Sequence, residues 1–72
     1  MEHVEVQFPE ERDVNIDGQL AGKTNSTLMV EEGHHVFDLG QPLDYEPESQ
    51  QVAVTGTDPI RPQIVIFSPQ EG

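Results

Sequence analysis

Six short runs of alternating apolar and polar residues cover most of the chain, and they constrain the fold more than any other feature. In HVEVQF (3–8), Val4, Val6 and Phe8 fall on one side of an extended chain and the polar residues fall on the other. A period of two residues is typical of a half-buried β-strand. The other runs are DVNI (13–16), TLMV (27–30), HHVFDL (34–39), QQVAV (50–54) and QIVIF (63–67).

Turn-forming residues separate these runs and leave no stretch long enough for a helix. Pro9, the Asp17–Gly18 pair, Gly33 and the segment 55–62 are examples. Short strands at this spacing predict an all-β fold, here a small antiparallel β-sandwich of six to seven short strands in a single domain over residues 1–72. The predicted core consists of Val14, Ile16, Leu28, Val30, Phe37, Leu39, Val52, Val54, Ile64 and Ile66.

Two segments depart from simple alternation. QIVIF is apolar on both faces, which predicts a strand that is covered on both sides. GQPLDYEPES (40–49) is polar and acidic and contains two prolines, so we expect it to be the longest connection between strands.

Charge and size exclude several classes of protein. Fourteen acidic residues against Arg12, Lys23 and Arg61 give a formal net charge of −11, which repels phosphate backbones and anionic lipids. We therefore expect neither nucleic-acid binding nor membrane-surface binding. No apolar run approaches the roughly 18 residues of a transmembrane helix, so we expect no membrane insertion either. We also expect a monomer. A chain of 72 residues buries only about 60% of its unfolded surface, so its stability will be modest.

Compartment is not fixed by the sequence. The chain has no cysteine and therefore no disulfide framework, and its N-terminus MEHVEVQF lacks the basic and apolar segments of a signal peptide. The same N-terminus fits a cytoplasmic protein and a module cut out of a longer exported chain.

The stretch DVNIDGQLAGKT (13–24) supports two interpretations. Asp13, Asn15 and Asp17 followed by Gly18 match the first half of a calcium-binding loop, which also needs a bidentate carboxylate at its twelfth position. Thr24 stands there and offers one neutral oxygen. The alternative is a strand that ends in an Asp-Gly type I′ hairpin turn, with the polar residues on its solvent face. We favour the hairpin.

Glu31, Glu32, His34 and His35 form a second group of potential metal ligands. Adjacent histidines on a strand point to opposite faces, so the two imidazoles cannot converge on one ion. With His35 on the same face as Phe37 and Leu39, we predict a partly buried histidine with a local hydrogen-bond partner. No metal and no cofactor is expected.

We also expect no enzyme. Ser26, Ser49 and Ser68 occur without the sequence context of an activated nucleophile, and a sandwich this small leaves little room for a water-excluding pocket.

The order of these features resembles the PEGA domains, which are small β-sandwiches related in fold to transthyretin-like and carboxypeptidase regulatory-like domains. The resemblance covers about residues 14–67, through VNIDG, GKT, TLMV, GHHVFDL, Tyr45, QQVAV and QIVIF. Two positions differ, since Asn25 stands where the family usually has proline and Asp44 precedes Tyr45 in place of glycine. The resemblance implies a non-catalytic module, commonly part of larger bacterial envelope or surface proteins, and hence an extracytoplasmic setting.

These observations together predict a binding or spacer module that contacts a protein partner or a neighbouring domain. The predicted contact surface is the Asp17–Gly18 hairpin, the 40–49 loop with Tyr45 as an aromatic anchor, and any unpaired strand edge. In the alternative interpretation of Tyr45, its ring packs against the core and only its hydroxyl contacts solvent. The alternative function is a small acidic cation-binding protein that uses Asp13, Asn15 and Asp17 or the loop around Asp44, Glu46 and Glu48.

Overall fold

A computed structural model describes residues 1–70, so the last two residues of the predicted 1–72 domain lie outside the described part. Nine strands follow one another, with the bounds β1 Glu2–Gln7, β2 Asp13–Ile16, β3 Gln19–Lys23, β4 Thr27–Val30, β5 Gly33–Asp38, β6 Tyr45–Glu46, β7 Gln50–Val54, β8 Gln63–Ile66 and β9 Ser68–Pro69. Residues 1–70 contain no helix that could cross a membrane. The predicted all-β class is confirmed.

The strands form three sheets. A three-stranded sheet has the order β4-β1-β8, a four-stranded sheet has the order β3-β2-β5-β7, and β6 pairs with β9 alone. Every pairing is antiparallel except that of β1 with β8, which is parallel and joins Val4 to Gln63 through Gln7 to Ile66. The structure differs from the expected antiparallel sandwich of six to seven strands in this one parallel pairing and in its nine strands.

The core lies between the two larger sheets. It consists of the buried side chains of Val4, Val6, Phe8, Val14, Ile16, Val30, Phe37, Leu39, Tyr45, Val54, Val65 and Phe67. Six of the predicted core residues are among them, and Leu28 and Val52 pack against the cluster in partly buried positions. Burial of these apolar side chains is the main force that holds such a domain together.

The last long strand has the opposite face inward from the predicted one. Ile64 is 40% and Ile66 60% exposed, whereas Val65 and Phe67 are buried. QIVIF is apolar on both faces, so alternation alone does not say which face meets the core. The predictions that Ile64 and Ile66 belong to the core, and that this strand is covered on both sides, are therefore wrong.

Three strands were not expected from the sequence. β3 is an edge strand whose side chains are mostly exposed, so it carries no alternating pattern. A register shift between Val14 and Asn15 also interrupts its pairing with β2. β6 and β9 contain two residues each, and β6 lies within the predicted long connection.

Asn25 shows why one loop departs from the family pattern. Its φ of 63° lies in the left-handed region, its backbone N–H donates to the Val6 carbonyl at 2.7 Å, and its side-chain amide bonds both backbone groups of Phe8. Proline has a fixed negative φ and no N–H, so it cannot occupy this conformation.

Candidate functional site

The β2–β3 hairpin forms one end of the domain. Asp17 and Gly18 have φ angles of 54° and 81°, and Ile16 pairs with Gln19 across the turn. Two consecutive positive φ values between paired strands are the signature of a type I′ turn. The hairpin interpretation of the Asp-Gly pair is confirmed.

Asp17 fastens this turn to strand β5. Its backbone N–H donates to the Val36 carbonyl at 2.8 Å, and its Oδ1 accepts the Val36 N–H at 2.9 Å. Its Oδ2 lies 2.7 Å from Nδ1 of His35. The carboxylate is half exposed, but both of its oxygens already have partners in the protein.

His35 links three segments of the chain. Its Nδ1 faces the Asp17 carboxylate, and its Nε2 lies 2.6 Å from the Glu31 carbonyl oxygen in the β4–β5 connection. Both neighbours are acceptors, so the ring satisfies both only as an imidazolium. The pKa of His35 is raised, mostly by its hydrogen bond with the Asp17 carboxylate and next by its hydrogen bond with the Glu31 carbonyl. The pKa of Asp17 is lowered, mostly by the same bond with His35 and next by the bond from the Val36 N–H. The prediction of a partly buried histidine with a local partner is confirmed.

An open groove of about 250 Å³ lies beside this His35–Asp17 pair. Its walls are the outer edges of β3 and β4, each of which pairs with only one neighbouring strand. Leu20 and Met29 both line it and are 69% and 60% exposed. We call the surface formed by Asp17, Gly18, Leu20, Met29 and Glu31 the hairpin surface.

Sequence reasoning did not single out Leu20 and Met29. A signal for Met29 was present, because the inward positions of Leu28 and Val30 in TLMV place the methionine between them on the solvent face. Leu20 had no such signal, since β3 has no alternation.

The candidate calcium ligands do not converge. Asp13 forms an ion pair with Lys23, which raises the pKa of that lysine through their hydrogen bond, and Asn15 donates from Nδ2 to Asp38 at 2.9 Å. Asp17 is held by His35 as described. Within residues 1–70, no group of three or more acidic or histidine side chains lies close enough to hold a metal ion.

Thr24, at the twelfth position of the candidate calcium loop, is buried and has a structural role. Its Oγ1 accepts the Arg12 N–H at 2.9 Å and donates to the Glu10 carbonyl at 2.8 Å. The other candidate cation site is the acidic part of the 40–49 loop. There Asp44 forms an ion pair with Arg12, while Glu46 and Glu48 are exposed.

Tyr45 lies in the core and not on the surface. It is 2% exposed, its ring makes edge-to-face contacts with Phe8 and Phe67, and its hydroxyl accepts the buried N–H of Leu39 at 3.2 Å. The interpretation in which the ring closes the core describes this position, except that the hydroxyl is buried as well. A partner cannot reach the ring without opening the core, so Tyr45 is not part of an exposed contact surface.

Arg12 covers this aromatic cluster and ties the 40–49 loop to it. Its guanidinium lies 5.3 Å from the centre of the Tyr45 ring, pairs with Asp44 and donates to the Pro42 carbonyl at 2.9 Å. Nothing in the sequence indicates this role, because an arginine five residues beyond the end of β1 has the pattern of an ordinary surface cation.

A second, larger groove of about 470 Å³ lies at the opposite end, where β1 and β8 finish. Its polar side chains belong to Glu5, Gln7, Asn25 and Ser68. Among the residues that line it there is no histidine beside Ser68.

One comparison with known proteins gives a match. The model of the PEGA domain family matches residues 8–67 of the chain. No curated protein and no solved structure matches it significantly.

Proposed function

The chain belongs to the PEGA domain family, and on that basis we propose that it is a non-catalytic binding or spacer module of a larger bacterial envelope or surface protein. It acts by contact with a protein partner or a neighbouring domain. The observation that carries the proposal is the contrast at the hairpin end, where the polar side chains serve to hold the loops together while large apolar side chains remain exposed.

The hairpin surface is where we place the contact. Leu20 and Met29 offer apolar area that gains free energy when a partner covers it, at about 25 cal/mol per Å². The groove that they line is smaller than the roughly 300 to 1,000 Å³ of small-molecule pockets, so a side chain or short segment of a protein fits it better than a substrate does.

Charge defines the chemistry of the partner. Glu31 borders the groove, and the whole chain carries a net charge of −11. An extended segment with lysine or arginine beside an apolar side chain would complement both features. Such a segment would lie along the unpaired edge of β3 or β4, as strands added to a sheet edge do.

The experiment is affinity capture from an envelope extract with the purified domain, followed by calorimetric titration of the captured protein. Met29→Lys should weaken binding about tenfold, because it removes apolar contact and repels a basic segment. Ile66→Lys is the matched control, since Ile66 is equally exposed at 60% and lies on the opposite edge strand of the same sheet.

Equal losses in the two variants would place the contact away from the hairpin surface. Turnover of a substrate by the purified domain, abolished by one Ser, His or Asp substitution, would show that the module is an enzyme.

A further inference from the structure

The parallel pairing of β1 and β8 determines how the domain responds to force. β1 begins at the hairpin end with Glu2 beside Val30, and β8 finishes at the other end with Ile66 beside Gln7. The chain therefore enters at one end of the three-stranded sheet and leaves it at the opposite end. Force that pulls the two ends of the domain apart slides β1 and β8 past each other along their length.

Sliding loads all hydrogen bonds of a strand pair together, whereas peeling an antiparallel pair from its end loads them one at a time. The register of β1 and β8 runs over four residue pairs, from Val4–Gln63 to Gln7–Ile66. A bond from the Phe67 N–H to the Gln7 carbonyl at 3.0 Å extends it at the far end.

Side chains extend the same contact at the near end. Thr57, in the loop before β8, accepts the His3 N–H on its Oγ1 at 2.6 Å. Its own N–H and hydroxyl both donate to Oε1 of Glu2 at 2.8 Å. These bonds hold the carboxylate ionised, and they lower the pKa of Glu2. β1 is thus bonded to segment 57–67 from its first residue to its last.

We propose that β1 and segment 57–67 form a load-bearing clamp, so that the domain resists tension along the chain of which it is a part. This proposal rests on the spacer role proposed above. The short β6–β9 pair, which joins Tyr45 to Pro69 and Glu46 to Ser68, gives way first without releasing β8. The core residues Val4, Val6 and Val65 keep water away from the bonds of the clamp.

The test is single-molecule force spectroscopy with two pairs of attachment points. The chain has no cysteine, so pairs of introduced cysteines define the points of pulling. Met1→Cys with Gln70→Cys shears the clamp. Met1→Cys with Glu31→Cys instead peels the antiparallel β1–β4 pair from its end, because Glu2 lies opposite Val30. All three positions are exposed, so the substitutions leave the fold intact.

We expect the unfolding force to be several-fold higher in the shearing arrangement at the same loading rate. Each event is identified by its gain in length, which is the extended length between the attachment points less their separation in the folded domain. The extended length is about 250 Å for the first pair and about 110 Å for the second, at roughly 3.6 Å per residue. Similar forces in the two arrangements would overturn the proposal.

A second pair of variants tests the clamp without changing the pulling points. Thr57→Val removes the hydroxyl bonded to Glu2 and His3, and should lower the shearing force. Thr55→Val is the matched control, because the Thr55 hydroxyl donates to Glu32 at 2.7 Å, outside the β1–β8 contact. Equal unfolding forces in Thr57→Val and Thr55→Val would contradict the part of the proposal in which the Thr57 hydroxyl strengthens the clamp. Failure of the clamp would leave the binding role standing, since that role is tested by Met29→Lys without force.

Discussion

Replacement of Tyr45 by phenylalanine removes one oxygen atom and tests the position of this residue directly. The hydroxyl accepts the N–H of Leu39, and both residues are at most 2% exposed. Without the oxygen, a buried N–H loses its partner, which costs about 1 to 3 kcal/mol. The bond length of 3.2 Å is at the long end of the normal range, so we expect about 1 to 2 kcal/mol.

That loss is large for this domain. At about 0.05 to 0.15 kcal/mol per residue, the total free energy of unfolding is about 4 to 11 kcal/mol. Each kcal/mol lowers the melting temperature of a domain of this size by about 4 to 8 °C, so Tyr45→Phe should melt about 4 to 16 °C below the wild type.

Urea unfolding followed by circular dichroism gives the change in the free energy of unfolding. Thr27→Val is the control, because it removes a hydroxyl from an exposed strand position and should stay within about 0.5 kcal/mol. The wild type offers an independent measurement, since Tyr45 is its single tyrosine and tryptophan is absent. Strong acrylamide quenching of the tyrosine fluorescence, together with a Tyr45→Phe variant as stable as Thr27→Val, would refute the buried position.

Three further predictions concern pH, metals and the core. The raised pKa of His35 contributes stability that is complete below about pH 6.5 and is lost as pH rises through that pKa. The lowered pKa of Asp17 contributes stability that is present above about pH 4 and is lost as pH falls through that pKa. Wild type and His34→Gln should therefore be more stable to urea at about pH 5.5 than at about pH 8.5, and His35→Gln should lose this difference. Excess calcium or zinc should leave the melting temperature unchanged, because a specific site at 100 times its Kd would add about 2.7 kcal/mol, a shift easily seen by calorimetry. In urea titrations Phe37→Ala should cost about 3 to 5 kcal/mol and Ile66→Ala less than about 1 kcal/mol; equal costs would contradict the observed core.

The sequence predicts those parts of the fold that depend on local alternation and turn chemistry. Val14 and Ile16 face inward because each polar neighbour faces out, and Asp17–Gly18 forms its turn because few other pairs accept two positive φ angles. Alternation does not determine the face of a strand that is apolar on both sides. For that reason the sequence predicts Ile64 and Ile66 in the core, whereas the structure buries Val65 and Phe67 there.

Contacts between residues far apart in the chain cannot be predicted from these sequence patterns. The Oδ2 of Asp17 meets a histidine eighteen residues away, and Arg12 meets Asp44 across thirty-two. Either carboxylate looks like a solvated turn or loop charge until the sheets bring its partner beside it. The candidate calcium loop shows the same limit. Its spacing arises from the pleat of strand β2, and Asp13, Asn15 and Asp17 each bind a different side chain of the protein.

Salt separates the two proposed roles of the domain. Among the acidic side chains of residues 1–70, only Asp13, Asp17 and Asp44 form ion pairs, so the surface keeps a strong negative field. The screening length falls from about 10 Å at 0.1 M salt to about 3 Å at 1 M, so attraction of a basic partner to the hairpin surface should weaken steeply over that range. The β1–β8 clamp consists mainly of backbone hydrogen bonds over a buried apolar core and gains little from long-range charge. Its unfolding force should therefore change little between the same two salt concentrations. If the shearing force fell in parallel with partner affinity, surface charge rather than the strand pairing would carry the load, and the clamp would be wrong.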